Sequence, residues 1–502
     1  MSPLDSLIIG NGQAVDRDSI PVISFRDFRR LVIDSVEAGA RLSALPVYRP
    51  DRNSPLRMTA VLSRPSSGDI LLTGCDLHPA WPSLTPDCPA AHWFEREIAE
   101  VWQVKPQGHP WLKPIRFQPP RDNNSHDAVP PIGIADFFKI KGEESHEVAV
   151  GPVHAGVIEP GHFRFLCHGE TVYHLEISLG YQHRGVERAM TGGPGPRSIH
   201  YMETLAGDTT IGHATAYCRA VEALSGMLVP PRAEAIRAIA AELERVANHT
   251  GDLGALAGDV GYLPTMSYCG RIRGDVLNMT ALLCGNRFGR GLVRPSGTAF
   301  DLDKELIDTL LAGLNAVEKD LTGAVELMFD APSVLARFEG TGTLSPDTAI
   351  EIGLVGPAAR ACGLDCDVRR EFPYGMYRFS QVHACTWATG DCFSRAYVRW
   401  LEIKASLDFI RQQLLELPEG PVDRDLEHMR MDMLTVSMVE GWRGEICHVA
   451  ATDSRGHFAF YKVVDPSFHN WFGLALAMRN QQISDFPLCN KSFNLSYCGH
   501  DL

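Results

Sequence analysis

Three stretches of helical periodicity set the scale of this fold. Behind Pro230-Pro231, residues 232–254 place Ile236, Ile239, Leu243 and Val246 on one stripe, the spacing of a helix face turned toward a core. Leu302 to Phe329 repeats the pattern through Leu310, Leu314, Val317, Leu321 and Met328. Ala388 opens a third long helix, expected to continue to Leu417. Helices of this length bury their apolar stripes against one another, so residues 140–502 are expected to form a mostly helical domain. Short β-hairpins interrupt it, one from Gly161 to Leu179 and one from Gly444 to Val464. Within the first, Thr171 to Leu179 (TVYHLEISL) alternates apolar and polar as a strand does.

The first 120 residues read differently. Phe25 to Ala44 predicts a helix with Phe28, Leu31, Val32, Val36 and Leu42 on its apolar side. LRMTAVLSR (56–64) and GDILLTGCDL (68–77) predict two strands around a Pro-Ser-Ser-Gly turn, and Ala90 to Val101 a second helix. PPRDNNSHD (119–127), followed by Pro130-Pro131, is the most polar and turn-rich join in the chain. The expected class is α+β, with a small α+β domain at 1–120, a linker at 121–139 and the helical domain at 140–502. A chain of 502 residues is long enough for two such cores.

Chemistry concentrates between Gly151 and Met190. Five histidines (His154, His162, His168, His174, His183) and four glutamates fall within forty residues there. Any one of these histidines is most simply a hairpin residue paired with a carboxylate. The density of the group points to a site. Elsewhere the charged residues read more plainly. Arg245, beside a helical stripe, reads as part of a buried ion-pair group, while its neighbours Glu242 and His249 are left open between that group and a site. Trp442 and Arg443 suggest a rigid corner before the second hairpin. The glycine-rich run 286–297 matches no phosphate-binding template.

Charge and cysteine usage exclude several classes. A net charge of −14 with no basic run argues against a nucleic-acid surface. No apolar run is long enough to span a bilayer, and the first residues lack the apolar core of a signal peptide. Thirteen cysteines, an odd number, point to reduced thiols. No two have C-x-x-C spacing, and no set of four has iron–sulfur spacing.

GPVHAGVIEPGHFRF (151–165), followed by LGYQHRGVE (179–187), resembles the start of the large subunit of membrane-bound, energy-converting nickel–iron hydrogenases, the group of formate hydrogenlyase. It is also similar to the quinone-side large subunit of respiratory complex I. The resemblance runs almost to the C-terminus. Upstream, Ser83-Leu84-Thr85-Pro86, Ala90 to Glu97 and Gly108-His109-Pro110 resemble the small peripheral subunit of complex I, which is fused to the large subunit in formate-hydrogenlyase-type enzymes.

The resemblance implies a metal site that these residues depart from. Where the hydrogenases carry C-G-x-C and a following histidine, this chain has Ala206 and Thr209, with Gly207 and His213 kept. Where they carry D-P-C-x-x-C, Asp485 is kept, and Pro487 and Asn490 fall on the cysteine positions. Nickel wants soft thiolates, so no nickel–iron centre and no cofactor on this chain are expected. The resemblance implies instead a 4Fe-4S cluster in a small iron–sulfur partner subunit and membrane antiporter-like subunits as further partners. It also implies a cytoplasmic place, peripheral to the inner face of the membrane. Glu159, His162, Asp208 and His213 are the candidate site residues, for proton transfer or acceptor binding. Three functions follow: a redox subunit without nickel that passes electrons to an acceptor such as a quinone, a hydrogenase with unusual ligands, or a coupling subunit without chemistry of its own.

Overall fold

The computed structural model describes residues 5–50, 53–121, 131–142, 144–156 and 158–502. Residues 122–130 of the expected linker 121–139 lie outside these described residues. The two-part α+β organisation is present: a sheet-based N-terminal part and a helical remainder with hairpins.

The N-terminal sheet runs in the order Leu7–Ile9, Asp69–Leu77, Leu56–Arg64 and Arg41–Ala44. Its two long strands pair antiparallel from Leu56↔Leu77 to Arg64↔Asp69, as their alternation and the turn between them predict. The helix Phe25–Glu37 buries Phe28, Leu31 and Val32 and is capped by Ser24, whose hydroxyl accepts the Asp27 N–H. It stops short of the expected Ala44. Gly39 takes φ +95°, a conformation that breaks the helix, and Arg41–Ala44 is a strand with Leu42 opposite Leu62.

A second sheet follows the order Phe458–Val464, Gly444–Thr452, Met433–Gly441 and Ala14–Asp16. The expected hairpin is its first half. The strand Met433–Gly441 extends it beyond the expectation, and Ala14–Asp16 crosses over from the N-terminal part to cover its edge. The hairpin at 161–179 appears as His162–His168 paired with Thr171–Ser178, joined by Ser145–Val150 on the outside.

Five long helices make up the bundle: Thr210–Ser225, Pro231–Asp259, Leu263–Cys284, Lys304–Phe329 and Cys392–Leu415. The apolar stripes read from the sequence are buried. Helical character from Ser198 to Leu224 resolves into two helices, Ser198–Glu203 and Thr210–Ser225. The turn between them is the one that carries Ala206 to Thr209.

Between these helices lies a buried ion network. Arg360 bonds Glu402 and Glu440, each at 2.8 Å, and Arg369 bonds Glu242 at 3.1 Å and Asp367 at 2.6 Å. Glu242 also takes Arg245 Nε at 3.0 Å, and His249 Nε2 meets Glu402 at 2.8 Å. Glu242, Arg245 and His249 therefore all belong to the buried ion-pair group. Burying such charges is tolerable only because each finds an opposite one. The N-terminal part is tied into the same interior. Arg41 bridges Glu371 and Glu445, both at 2.7 Å, and Tyr48 stacks on Phe460 with ring centroids 4.1 Å apart.

Candidate functional site

The register pair Gly441↔Gly444 leaves Trp442 and Arg443 as a two-residue hairpin corner. A side chain on Gly444 would come within 2.8 Å of the Gly356 backbone, so the corner is held against its neighbour by the bareness of both glycines. From this corner two side chains grip the turn 206–209. Trp442 Nε1 donates to the Asp208 carbonyl at 3.0 Å and to Thr209 Oγ1 at 3.1 Å. The Arg443 fork donates to both Asp208 carboxylate oxygens, at 2.6 and 2.8 Å. Burial raises the Asp208 carboxyl, but the Arg443 charge and hydrogen bonds outweigh it and hold it below the usual carboxylate range. Arg443 Nε reaches on to the Asn494 carbonyl at 2.5 Å, which brings the C-terminal segment to the same place.

Glu159 closes the other side. Its carboxylate accepts the backbone N–H groups of Tyr497 at 3.3 Å and Cys498 at 3.1 Å. The Cys498 thiol in turn lies against Glu159 and the Gly207 N–H, and burial followed by the Glu159 charge pushes it up to about 11, so it stays a thiol. His162 stands at the foot of the hairpin with Nδ1 3.1 Å from the Gly151 carbonyl and its ring 5.1 Å from that of Phe137. Its Nε2 is buried and has no hydrogen-bond partner among the described residues.

His213 lies deeper on Thr210–Ser225, fully buried, between Asp465 at 3.0 Å and His448 at 3.1 Å. The fold therefore joins Asp208 and Glu159 through Arg443 and the segment 494–498. His213 stands beneath them and His162 beside them. Of the positions matched to the hydrogenase cysteines, Ala206 is buried and Thr209 accepts from Trp442 and Arg443. Pro487 is exposed, and Asn490 is half-buried beside the Tyr497 hydroxyl. The C-terminal residues that actually meet the turn are Asn494 and Cys498.

Three participants are not evident from the sequence. Trp442 and Arg443 suggest a corner there, but nothing local says what they grip. Glu244, on the helix Pro231–Asp259, accepts the Ile211 N–H at 2.7 Å and the Gly212 N–H at 3.2 Å and so caps the helix that carries His213. Burial pushes its carboxyl up to about 8, with the Asp208 charge adding to the rise. Its two donors lie 33 and 32 positions away, beyond the reach of any local capping pattern. Among the described residues there is no group of three or more His, Cys, Asp or Glu placed to hold a metal ion. No described helix is long and apolar enough to cross a membrane.

Among known proteins, residues 259–435 match the family described as respiratory-chain NADH dehydrogenase, 49 Kd subunit, and residues 43–126 match the respiratory-chain NADH dehydrogenase, 30 Kd subunit. The chain is similar to the carbon monoxide-induced hydrogenase of Rhodospirillum rubrum, with 32% identity over 70% of this chain and 97% of the relative. It is similar to formate hydrogenlyase subunit 5 of Escherichia coli, with 28% identity over 84% of this chain and 76% of the relative. With NADH-quinone oxidoreductase subunit 4 of Thermus thermophilus it shares 31% identity over 67% of this chain and 89% of the relative.

Proposed function

Because the chain belongs to the family that unites the carbon monoxide-induced hydrogenase with subunit 4 of NADH-quinone oxidoreductase, we propose that it is the large subunit of a membrane-associated redox complex that works without a nickel–iron centre. In this reading, electrons arrive from a 4Fe-4S cluster in a small partner subunit and pass to an acceptor, a quinone by analogy, bound at the cleft of Glu159, Asp208 and the C-terminal turn. Membrane antiporter-like subunits would hold the complex at the inner face of the membrane.

One observation carries the reading: the turn 206–209 offers no soft donor and is already engaged. Ala206 presents a methyl group, and the Thr209 hydroxyl accepts from Trp442 and Arg443. A single thiol, that of Cys498, reaches the turn, and it is held protonated. A nickel–iron centre needs several thiolates and does not fit this set. The same residues suit proton-coupled reduction of an oxygen-bearing acceptor. Arg443 supplies a fixed positive charge. Glu159 is a carboxylate against the C-terminal turn, and His162 Nε2 has no partner among the described residues.

Two measurements test this. Metal analysis of the complex purified with its maturation proteins should find iron but no stoichiometric nickel, and one nickel per chain would end the proposal. Glu159→Gln and His162→Ala should each abolish turnover while leaving the complex assembled. Full activity in both variants would remove these residues from the mechanism, and loss of assembly would reassign them to structure.

A further inference from the structure

Below the cleft a single file of hydrogen bonds leads inward from the C-terminal turn. Asp465 lies directly beneath that turn: a Cβ on Gly499 would come within 2.7 Å of Asp465 Oδ2 and 2.9 Å of Ser496 Oγ. On the far side of the same turn, Glu159 holds the Tyr497 and Cys498 N–H groups. From Asp465 Oδ2 the file passes to His213 Nε2 at 3.0 Å, from His213 Nδ1 to His448 Nε2 at 3.1 Å, and from His448 Nδ1 to the Tyr461 hydroxyl at 2.8 Å. None of the four is more than 1% exposed. Beyond Tyr461 stands Tyr217, its ring centroid 6.3 Å away, with Ser198 beside its hydroxyl. Ser198 Oγ accepts the Gly195 N–H of the largely exposed turn 191–197.

The file has a fixed polarity. Burial works against the Asp465 carboxylate, but the His213 hydrogen bond, the Arg443 charge and the Ser467 N–H outweigh it and hold it below its ordinary range, so Asp465 accepts. His213 then donates from Nε2, and in a ring carrying one proton Nδ1 is left to accept from His448 Nε2. His448 in turn accepts from Tyr461 at Nδ1. Burial holds His448 well below its ordinary range and lifts Tyr461 well above its own. Both are therefore neutral at neutral pH. The other ionisable groups facing the file are Arg443, Asp208 and His469 at the Asp465 end and Tyr217, Cys218 and Cys447 at the Tyr461 end. Every donor hydrogen points toward the cleft.

We propose that Ser198, Tyr217, Tyr461, His448, His213 and Asp465 form the proton inlet of the cleft, carrying protons inward from the exposed turn 191–197. The proposal rests on the functional reading above for its destination. As each electron from the partner's cluster reduces the acceptor, the acceptor draws one proton from the Asp465 end. His213 Nε2–H moves to Asp465, His448 Nε2–H moves to His213 Nδ1, and the Tyr461 proton moves to His448 Nδ1. Tyr461 then takes one proton from solvent by way of Tyr217 and Ser198. One proton enters, one leaves, and return of the rings to their starting tautomers resets the file. None of these groups touches the acceptor; they position and supply the proton.

The polarity is measurable on the full chain without any turnover. Histidine labelled with nitrogen-15 should show both His213 and His448 as neutral rings protonated at Nε2 near pH 7, and Nδ1–H on either ring overturns the polarity. For transport, the assembled complex is reduced, freed of reductant and mixed rapidly with a water-soluble quinone. Tyr461→Phe keeps the ring and removes the proton carrier. It should slow cluster reoxidation at least tenfold at pH 8 and less at pH 6, with unchanged quinone affinity and an altered solvent isotope effect. Tyr217→Phe should act in the same direction. Wild-type rates and an unshifted pH profile in both variants sink the inlet alone. A wild-type complex that does not reduce the quinone while its tautomers are as expected sinks the functional reading, and the inlet with it.

Discussion

Two buried polar systems lie side by side in this protein and are built on opposite rules. Around Arg360 every charge meets its opposite: Glu402, Glu440, Asp367, Arg369 and Glu242 form a cross-linked net joining the long helices to the hairpin sheet. Around His213 there is one carboxylate, Asp465, and then a file of rings bonded end to end. The net pins most of its charges with several others; Glu440, whose carboxyl burial and then the Asp367 charge push up to about 7, is its one soft member. The file has room for a proton to move because each member bonds one neighbour on each side. Burial alone therefore does not distinguish scaffold from machinery here; connectivity does.

Removing the centre of the net tests this contrast most severely. Arg360→Met leaves Glu402 and Glu440 buried without their cation and should cost about 3–5 kcal/mol of stability. Urea unfolding of the full chain measures it, and a loss below about 1 kcal/mol would show that the net is not pinned as described. Tyr461→Phe tests the file on the same scale. It removes one hydrogen bond and leaves the buried His448 Nδ1 without its donor, so it should cost about 1–3 kcal/mol, less than the break in the net. An equal or larger loss would make the file part of the scaffold.

A subtler change belongs to Glu244, which caps the helix of the file. Its carboxyl is pushed up to about 8 from its ordinary 4.5, so the folded chain favours the protonated form. The stability linked to that proton is fully present below about 4.5 and is lost as pH rises through about 8. Glu244→Gln keeps an acceptor for the Ile211 and Gly212 N–H groups and cannot ionise. Its stability should therefore fall less between those pH values than that of the wild type. Parallel curves for the two proteins would place the titration elsewhere.

The sequence shows the net better than the file, for a physical reason. A helical stripe repeats every few residues, so Ile236, Leu243 and Val246 declare their helix, and Arg245 beside them declares a buried partner. His213 and His448 are 235 positions apart, and neither sits in a pattern that points to the other. The helix Leu263–Cys284 is hard to read because Gly270, Gly274 and several exposed apolar residues blur its periodicity. The strand Met433–Gly441 is hard to read because it is buried almost throughout and shows no clean alternation. Cys498 looks misplaced by spacing; only the fold carries it to Gly207.

The strand Ala14–Asp16 bears on how the protein is made. Gln13 and Thr435, 422 positions apart, share a hydrogen bond, and Ala14–Asp16 covers the edge of Met433–Gly441. On the ribosome the strand Ala14–Asp16 emerges long before its partner and must wait for it. Closing so long a loop is slow, and until it closes the sheet in the C-terminal part keeps a bare edge that invites pairing with other chains. The same few residues that tie the two parts together thus make the finished sheet a late event in synthesis, and a truncated chain is marked by an open strand.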